Sequence, residues 1–396
     1  MRWKEIPIEA RRYIIYHTII SPLLITWYML PVYMLKTGYS ILEIGIFFTS
    51  INIASIPLTY LIGKMFDRIA IRHGLILIDS LDGVENVLYS LAYGPIAPVM
   101  LFSGLIISRI TGPFYPLYQA TEKIVYPEDK LEEIFAWHMR LPLLSELLGF
   151  IILGYIFGTV FTTPTHYRVG FMLIGASSIF TVSYLIKYVP KLDAKERIGQ
   201  GFTFKFDKEF KAILAIEALD MFARRLVPEI VLLNYMIVVL GLSFFDVMLV
   251  IAFSLIAGAV FATYISERIS STYRFKVISL SYVFTTLWAL TMFLSPNFIA
   301  ILLAYFIAEF GHTLAFPFYR SWLFSKIPRE KASSLLAGIS SFDRTIGIVT
   351  PLLAGLLASL NPTLPYLASL LLFMATIPIL LSMEKKGYKQ QTLQNM

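Results

Sequence analysis

The chain has 396 residues, 57% of them hydrophobic and only 15% charged, and its mean hydropathy is +0.71. A soluble protein of that length needs a larger polar surface, so the composition excludes a soluble fold and specifies an integral membrane protein. The chain has no cysteine, which excludes disulfides, thiolate catalysis and cysteine metal sites, and it carries a net charge of +7.

A bilayer core of about 30 Å takes about 20 apolar residues per helix. The first apolar run begins near Tyr13, after Arg2, Lys4, Arg11 and Arg12. It is too long for a signal peptide and has no small-residue cleavage site, so it reads as a retained helix. Runs between charged or Pro/Gly/Asn breaks give twelve expected spans. They are 13–35, 41–63, 74–93, 95–118, 134–160, 167–189, 211–239, 244–265, 275–295, 297–324, 332–359 and 363–383. Very short breaks such as YGPIAP (93–98) and LNPT (360–363) imply tight antiparallel hairpins.

Placing the N-terminus inside puts 25 of the 33 Lys and Arg in inner segments and only Lys36 and Arg168 in outer loops; the other six lie within spans. This bias places both termini in the cytoplasm and the chain in the cytoplasmic membrane. It also accounts for the basic charge, so nucleic acid is not expected as a partner; the lipid bilayer is. The longest inner segment divides the chain into an N-terminal six-helix bundle (1–190), a cytoplasmic linker (191–210) and a C-terminal six-helix bundle (211–396).

The halves repeat. GYSILE (38–43) matches GLSFFD (241–246), GKMFDR (63–68) matches TYISER (263–268), and P-L-Y (116–118) matches P-F-Y (317–319). The offsets are 203, 200 and 201. Parallel repeats about an axis normal to the membrane mark one large class of transporter. The stretch GKMFDRIAIR (63–72), between spans 2 and 3, resembles the signature loop of the major facilitator superfamily. Gly63, Asp67, Arg68 and Arg72 stand in the matching places, and Glu267 and Arg268 keep the charges in the second copy. FDRTIGIVTPLLAG (342–355) is similar to span 11 of that family. The resemblance covers all twelve spans. It implies an all-α polytopic fold of twelve transmembrane helices in two pseudo-symmetric bundles, with spans 1, 4, 7 and 10 lining a central pathway. The six loop residues are then expected to form a cytoplasmic gate, with Asp67 accepting hydrogen bonds at a helix N-terminus.

The stretch EALDMFARRLVPE (217–229) carries five charged side chains inside span 7. Each charge at a helix centre costs about 2.5–3.5 kcal/mol on insertion scales, so this face cannot meet lipid. At 100° per residue Glu217, Asp220, Arg224, Arg225 and Glu229 fit on half the cylinder. Asp220–Arg224 and Arg225–Glu229 have the spacing for intrahelical pairs. Pro228 cannot donate to the Arg224 carbonyl, which bends the helix. The expected substrate pathway comprises these five residues with Arg109, Glu309, His312, Tyr28 and Tyr115. Glu309, His312 and Asp220 are the expected proton carriers. Arg109, Arg224 and Arg225 could instead hold an anion. Asp79, Asp82 and Glu85 of span 3 read as structural acids paired with Arg109 or Arg140, and His17 as a packing residue.

These features point to a secondary active transporter moving a small organic solute by alternating access with proton coupling, since no GxxxxGK[ST] motif is present. The alternatives are a proton-antiport exporter of drugs or cations, divalent metals included, and a membrane-embedded enzyme acting on a lipid-linked substrate. No cofactor and no metal site are expected, and the chain is expected to act as a monomer on a small-molecule substrate.

Overall fold

The computed structural model describes residues 2–66, 71–111, 116–127, 131–189, 208–266, 268–326 and 332–394. Among the described residues the fold is all-α. Eight helices among the described residues are long and apolar enough to cross a membrane, beginning with Ile8–Lys36 and ending with Leu364–Met383. Three shorter apolar helices, Ile41–Pro57, Glu229–Val239 and Thr345–Leu360, stand at spans 2, 7 and 11. Span 3 is the 20-residue helix Ile71–Ser90, made less apolar by Asp79, Asp82 and Glu85.

Departures from the expected bounds have local causes. Span 1 starts earlier, at Ile8, and tightens into a narrower helix at Ser21–Ile25, where Pro22 lacks an N–H to donate. Span 4 is a helix over Ala97–Thr111 and another over Pro116–Val125, so it runs beyond 118. Span 7 is broken: Lys208–Arg225 ends, and Glu229–Leu233 begins after Pro228. The bend expected at that proline is therefore a full interruption of the helix.

The chain forms two compact units. One holds residues 1–39 and 47–198, the other 40–46 and 199–396. Residues 40–46 group with the second unit because Gly45 lies so close to Pro351 and Gly355 that a Cβ would meet backbone atoms at 2.6 and 3.2 Å.

Packing inside the first unit recurs inside the second. Helix Ile71–Ser90 packs on Pro164–Tyr188 and on Ala97–Thr111, and span 1 packs on Leu131–Tyr155 and Pro164–Tyr188. In the second unit Arg274–Phe293 packs on Leu364–Gln394 and Phe298–Lys326, while Lys208–Arg225 packs on Ala332–Leu360 and Leu364–Gln394. Spans 3–6, 3–4, 1–5 and 1–6 thus reappear as 9–12, 9–10, 7–11 and 7–12. Each unit has its own core, around Tyr13, Ile71 and Leu185 in one and Ile216, Trp322 and Phe373 in the other. Apolar side chains on the opposite faces, such as Phe180 at 75% and Ile179 at 67% exposure, suit contact with lipid tails.

Candidate functional site

In the first unit the acids of span 3 surround a cavity of about 120 Å³. Its wall includes Asp79, Asp82, Glu85, Asn86, Ser108 and Tyr118, and no Lys or Arg is among the described residues that line it. The three-residue spacing of Asp79, Asp82 and Glu85 keeps them within an arc of about 120° on one helix face. Close helix packing carries that face inward. A Cβ on Gly83 would meet Ser178 Oγ at 2.0 Å, and one on Gly175 would meet the Gly83 carbonyl oxygen at 2.9 Å. Spans 3 and 6 therefore touch almost backbone to backbone.

The hydrogen bonds to these acids come from hydroxyls, while the expected arginine contact is kept electrostatically between Arg109 and Glu85. Tyr16 Oη donates to Asp79 Oδ1 at 2.6 Å and Tyr118 Oη to the same oxygen at 3.1 Å. Thr111 Oγ1 donates to Asp82 at 3.3 Å, and Tyr89 Oη to Glu85 at 2.8 Å. Arg109 lies within electrostatic reach of Glu85, yet its guanidinium sits 5.9 Å over the Phe48 ring. Arg140 sits 5.4 Å over Trp137. Hydroxyls hold Asp79 and Asp82 because spans 1 and 4 bring tyrosine and threonine to that face. Asn86 Oδ1 and Asp79 Oδ2 are shut off from water without a hydrogen-bond partner among the described residues. The nearby Thr181 hydroxyl donates elsewhere, to the Ser178 carbonyl at 3.0 Å.

The second unit holds a mixed cluster. Arg224 Nε donates to Asp220 Oδ2 at 2.9 Å, the intrahelical pair expected at four-residue spacing. Arg224 Nη2 reaches His312 Nδ1 at 3.4 Å. Tyr319 Oη donates to Glu217, and Thr313 Oγ1 donates to Glu309 at 3.0 Å. The structure thus brings Asp220, Arg224 and His312 together, with Glu309 close enough to act electrostatically on both Arg224 and His312. Arg225 and Glu229 part at the break after Arg225: the Arg225 guanidinium packs on Gly347, and Glu229 opens the next helix at its positive end.

The two clusters follow the repeat with the roles exchanged. Tyr118 and Tyr319, at equivalent places in spans 4 and 10, each bond a carboxylate. In the first unit that carboxylate is on span 3 and a tyrosine is on span 1. In the second the acids are on span 7, and Tyr282 of span 9 stands near Asp220. The offset between Asp79 and Tyr282 is 203, the spacing of the repeated turns.

Tyr28 packs edge-on against Phe150 at 5.7 Å. Arg72 donates to the Ile186 carbonyl, capping the end of span 6, and Arg268 lies over the Tyr264 ring at 3.9 Å. Gly63 falls in helix Ile41–Phe66. Tyr115, Asp67, Arg68 and Glu267 lie outside the described residues.

An all-α membrane protein with repeated packing and a charged cluster within the helices of each unit is built to carry small solutes across a bilayer. The chain belongs to the Major Facilitator Superfamily, whose family model matches residues 17–347. It is a multi-pass membrane transporter of a small molecule and not an enzyme. It superposes on a bacterial metal transporter with a TM-score of 0.70 at 13% identity, covering 96% of this chain and 99% of the other. A bacterial homologue of the iron transporter ferroportin, in an inward-facing state, gives 0.70 at 14% identity over 94% of this chain and 96% of that one. The nucleoside transporter NupG gives 0.66 at 15% identity over 94% and 97%. Identities this low show a shared fold alone. No curated protein matches the sequence.

Proposed function

We propose that the chain is a proton-coupled secondary active transporter of the cytoplasmic membrane that exchanges protons for a cationic solute by alternating access, with both termini cytoplasmic and the monomer as the working unit. The observation that carries this reading is the acid-lined cavity of the first unit. Its wall offers the carboxyls of Asp79, Asp82 and Glu85 and the carbonyl of Asn86, and no Lys or Arg is among the described lining residues. Two of these shielded oxygens, Asp79 Oδ2 and Asn86 Oδ1, have no donor among the described residues, and such oxygens attract protons or a cation and disfavour an anion. The same carboxyls can hold either, one at a time, which is the requirement for antiport. Asp220, Glu309 and His312 supply a second set of proton-carrying groups.

Proteoliposomes holding a pH-sensitive dye test this directly. A panel of organic cations, divalent metals and organic anions is added outside. A cation is expected to drive proton movement in the wild type, and Asp82→Asn is expected to reduce that signal at least about tenfold, as loss of a transport carboxyl should. Proton movement with anions alone, or full activity in Asp82→Asn, would sink the reading.

A further inference from the structure

We propose that His17, Glu122 and His138 form a binding site for one divalent first-row transition-metal ion in the first unit, apart from the acid-lined cavity. The three come from different helices: His17 from Ile8–Ile20, Glu122 from Pro116–Val125 and His138 from Leu131–Tyr155. The first of these helices packs on both of the others, which closes the triangle.

The geometry is that of a ligand set. One ligand atom from each residue lies within 4.8 Å of the other two. His138 Nε2 is 3.6 Å from Glu122 Oε1, and the two imidazole rings are 4.8 Å apart between centroids. Donors around a tetrahedral ion with bonds of about 2.0–2.1 Å stand about 3.3 Å apart, so side-chain shifts of roughly 1 Å close the site on an ion.

Two further observations point to a ligand. The Tyr126 hydroxyl bonds Nδ1 of His138, which orients the ring and directs Nε2 toward Glu122. A metal-bound histidine is usually held in this way through its other nitrogen. His17 is half-buried among Tyr13, Tyr16, Tyr118 and His138, with ring centroids at 4.7–5.4 Å. Its Nε2 is shut off from water and has no hydrogen-bond partner among the described residues. A buried imidazole nitrogen in that position is costly unless something accepts its lone pair or its proton.

Two imidazoles and one carboxylate suit Zn²⁺, Co²⁺, Ni²⁺, Fe²⁺ or Mn²⁺, whereas Mg²⁺ and Ca²⁺ prefer all-oxygen sets. His138 and Glu122 are 14% and 17% exposed, which leaves an edge for the ion to enter and for water to complete the coordination. The sequence hides this set, because its members are 105 and 16 residues apart and match no ligand spacing. The site also adjoins the cavity: Tyr16 and Tyr118, which wall His17, are the two donors to Asp79.

The test uses the purified full chain in detergent, with any affinity tag removed and metals stripped. Titration with Co²⁺ near neutral pH is expected to give visible d–d absorption saturating at one ion per chain and displaced by Zn²⁺. His17→Ala, His138→Ala and Glu122→Gln are each expected to weaken Co²⁺ binding at least about tenfold, and Tyr126→Phe by a smaller factor. His73→Ala and His166→Ala are expected to leave it unchanged. X-ray absorption on the Zn²⁺-loaded wild type should show two imidazoles at about 2.0 Å, a result that needs no variant to fold. No saturable Co²⁺ spectrum, fewer than two imidazoles, or binding unchanged in His17→Ala and His138→Ala would each overturn the site. Loss of transport in Asp82→Asn with Co²⁺ binding intact separates this site from the cavity reading.

Discussion

Asp79 is 6% exposed, and the hydroxyls that reach it come from Tyr16 and Tyr118, residues 63 and 39 positions away. A phenylalanine at either position leaves the ring packing intact and removes one donor. Hydrogen bonds to carboxylates contribute about 1.5–3 kcal/mol, and a second donor on the same oxygen softens the loss. Tyr16→Phe is therefore expected to cost about 1–2 kcal/mol, and Tyr118→Phe less, since its bond is longer. Thermal melting in detergent checks the order. Equal melting of both variants and the wild type would mean that these hydroxyls do not support Asp79. The sequence located the acids on an inward face and offered arginines as partners; Arg109 does act on Glu85, but the hydroxyls that bond Asp79 and Asp82 were not legible. Helical periodicity fixes the face of a side chain, and only the tertiary fold fixes the residue opposite.

At the scale of elements, the repeated turns carry the same local chemistry. Gly38 and Gly241 both have positive φ, +97° and +71°, a region that side chains with a Cβ rarely adopt. Two residues later, Ser40 pairs with Glu43 and Ser243 with Asp246 in reciprocal caps at the starts of spans 2 and 8. Ser243→Ala is expected to cost about 1 kcal/mol, read as a lower melting temperature. Spans 3 and 6 are fastened at both ends by exchanged arginines. Arg72 of span 3 caps Ile186 of span 6, and Arg168 of span 6 donates to the Ser90 carbonyl at 2.7 Å. Between these latches the glycines hold the two backbones together. Gly83→Val should then force the helices apart at a cost of about 1–3 kcal/mol or more and yield aggregated protein on size exclusion. Val84→Ala, on the exposed face, serves as the control and should elute as the wild type does. Both glycines are visible in the sequence; their contact across 92 residues is not.

For the whole molecule, the proposed orientation rests on the distribution of Lys and Arg. The absence of cysteine makes the test simple, since each single-cysteine variant has one reactive thiol. Lys36→Cys and Asn297→Cys, in the segments proposed to be outer, are expected to react with an impermeant thiol reagent in intact cells. Lys4→Cys and Arg274→Cys should react only after the cells are opened. The reverse pattern would invert the proposed topology.

The sequence by itself determined the class of protein, most helix positions, the repeat and the family resemblance. These depend on hydropathy, short motifs and turn chemistry, which act over a few residues. Tertiary structure decided how the charges are used. It interrupted span 7 at Pro228, tied Arg224 to Asp220 and His312, and gave the span 3 acids hydroxyl partners around a cavity. It also brought together His17, Glu122 and His138, which no periodicity relates. The physical reason is that a helix fixes the direction in which a side chain leaves it, while what that side chain meets is set by another helix whose position local sequence does not encode.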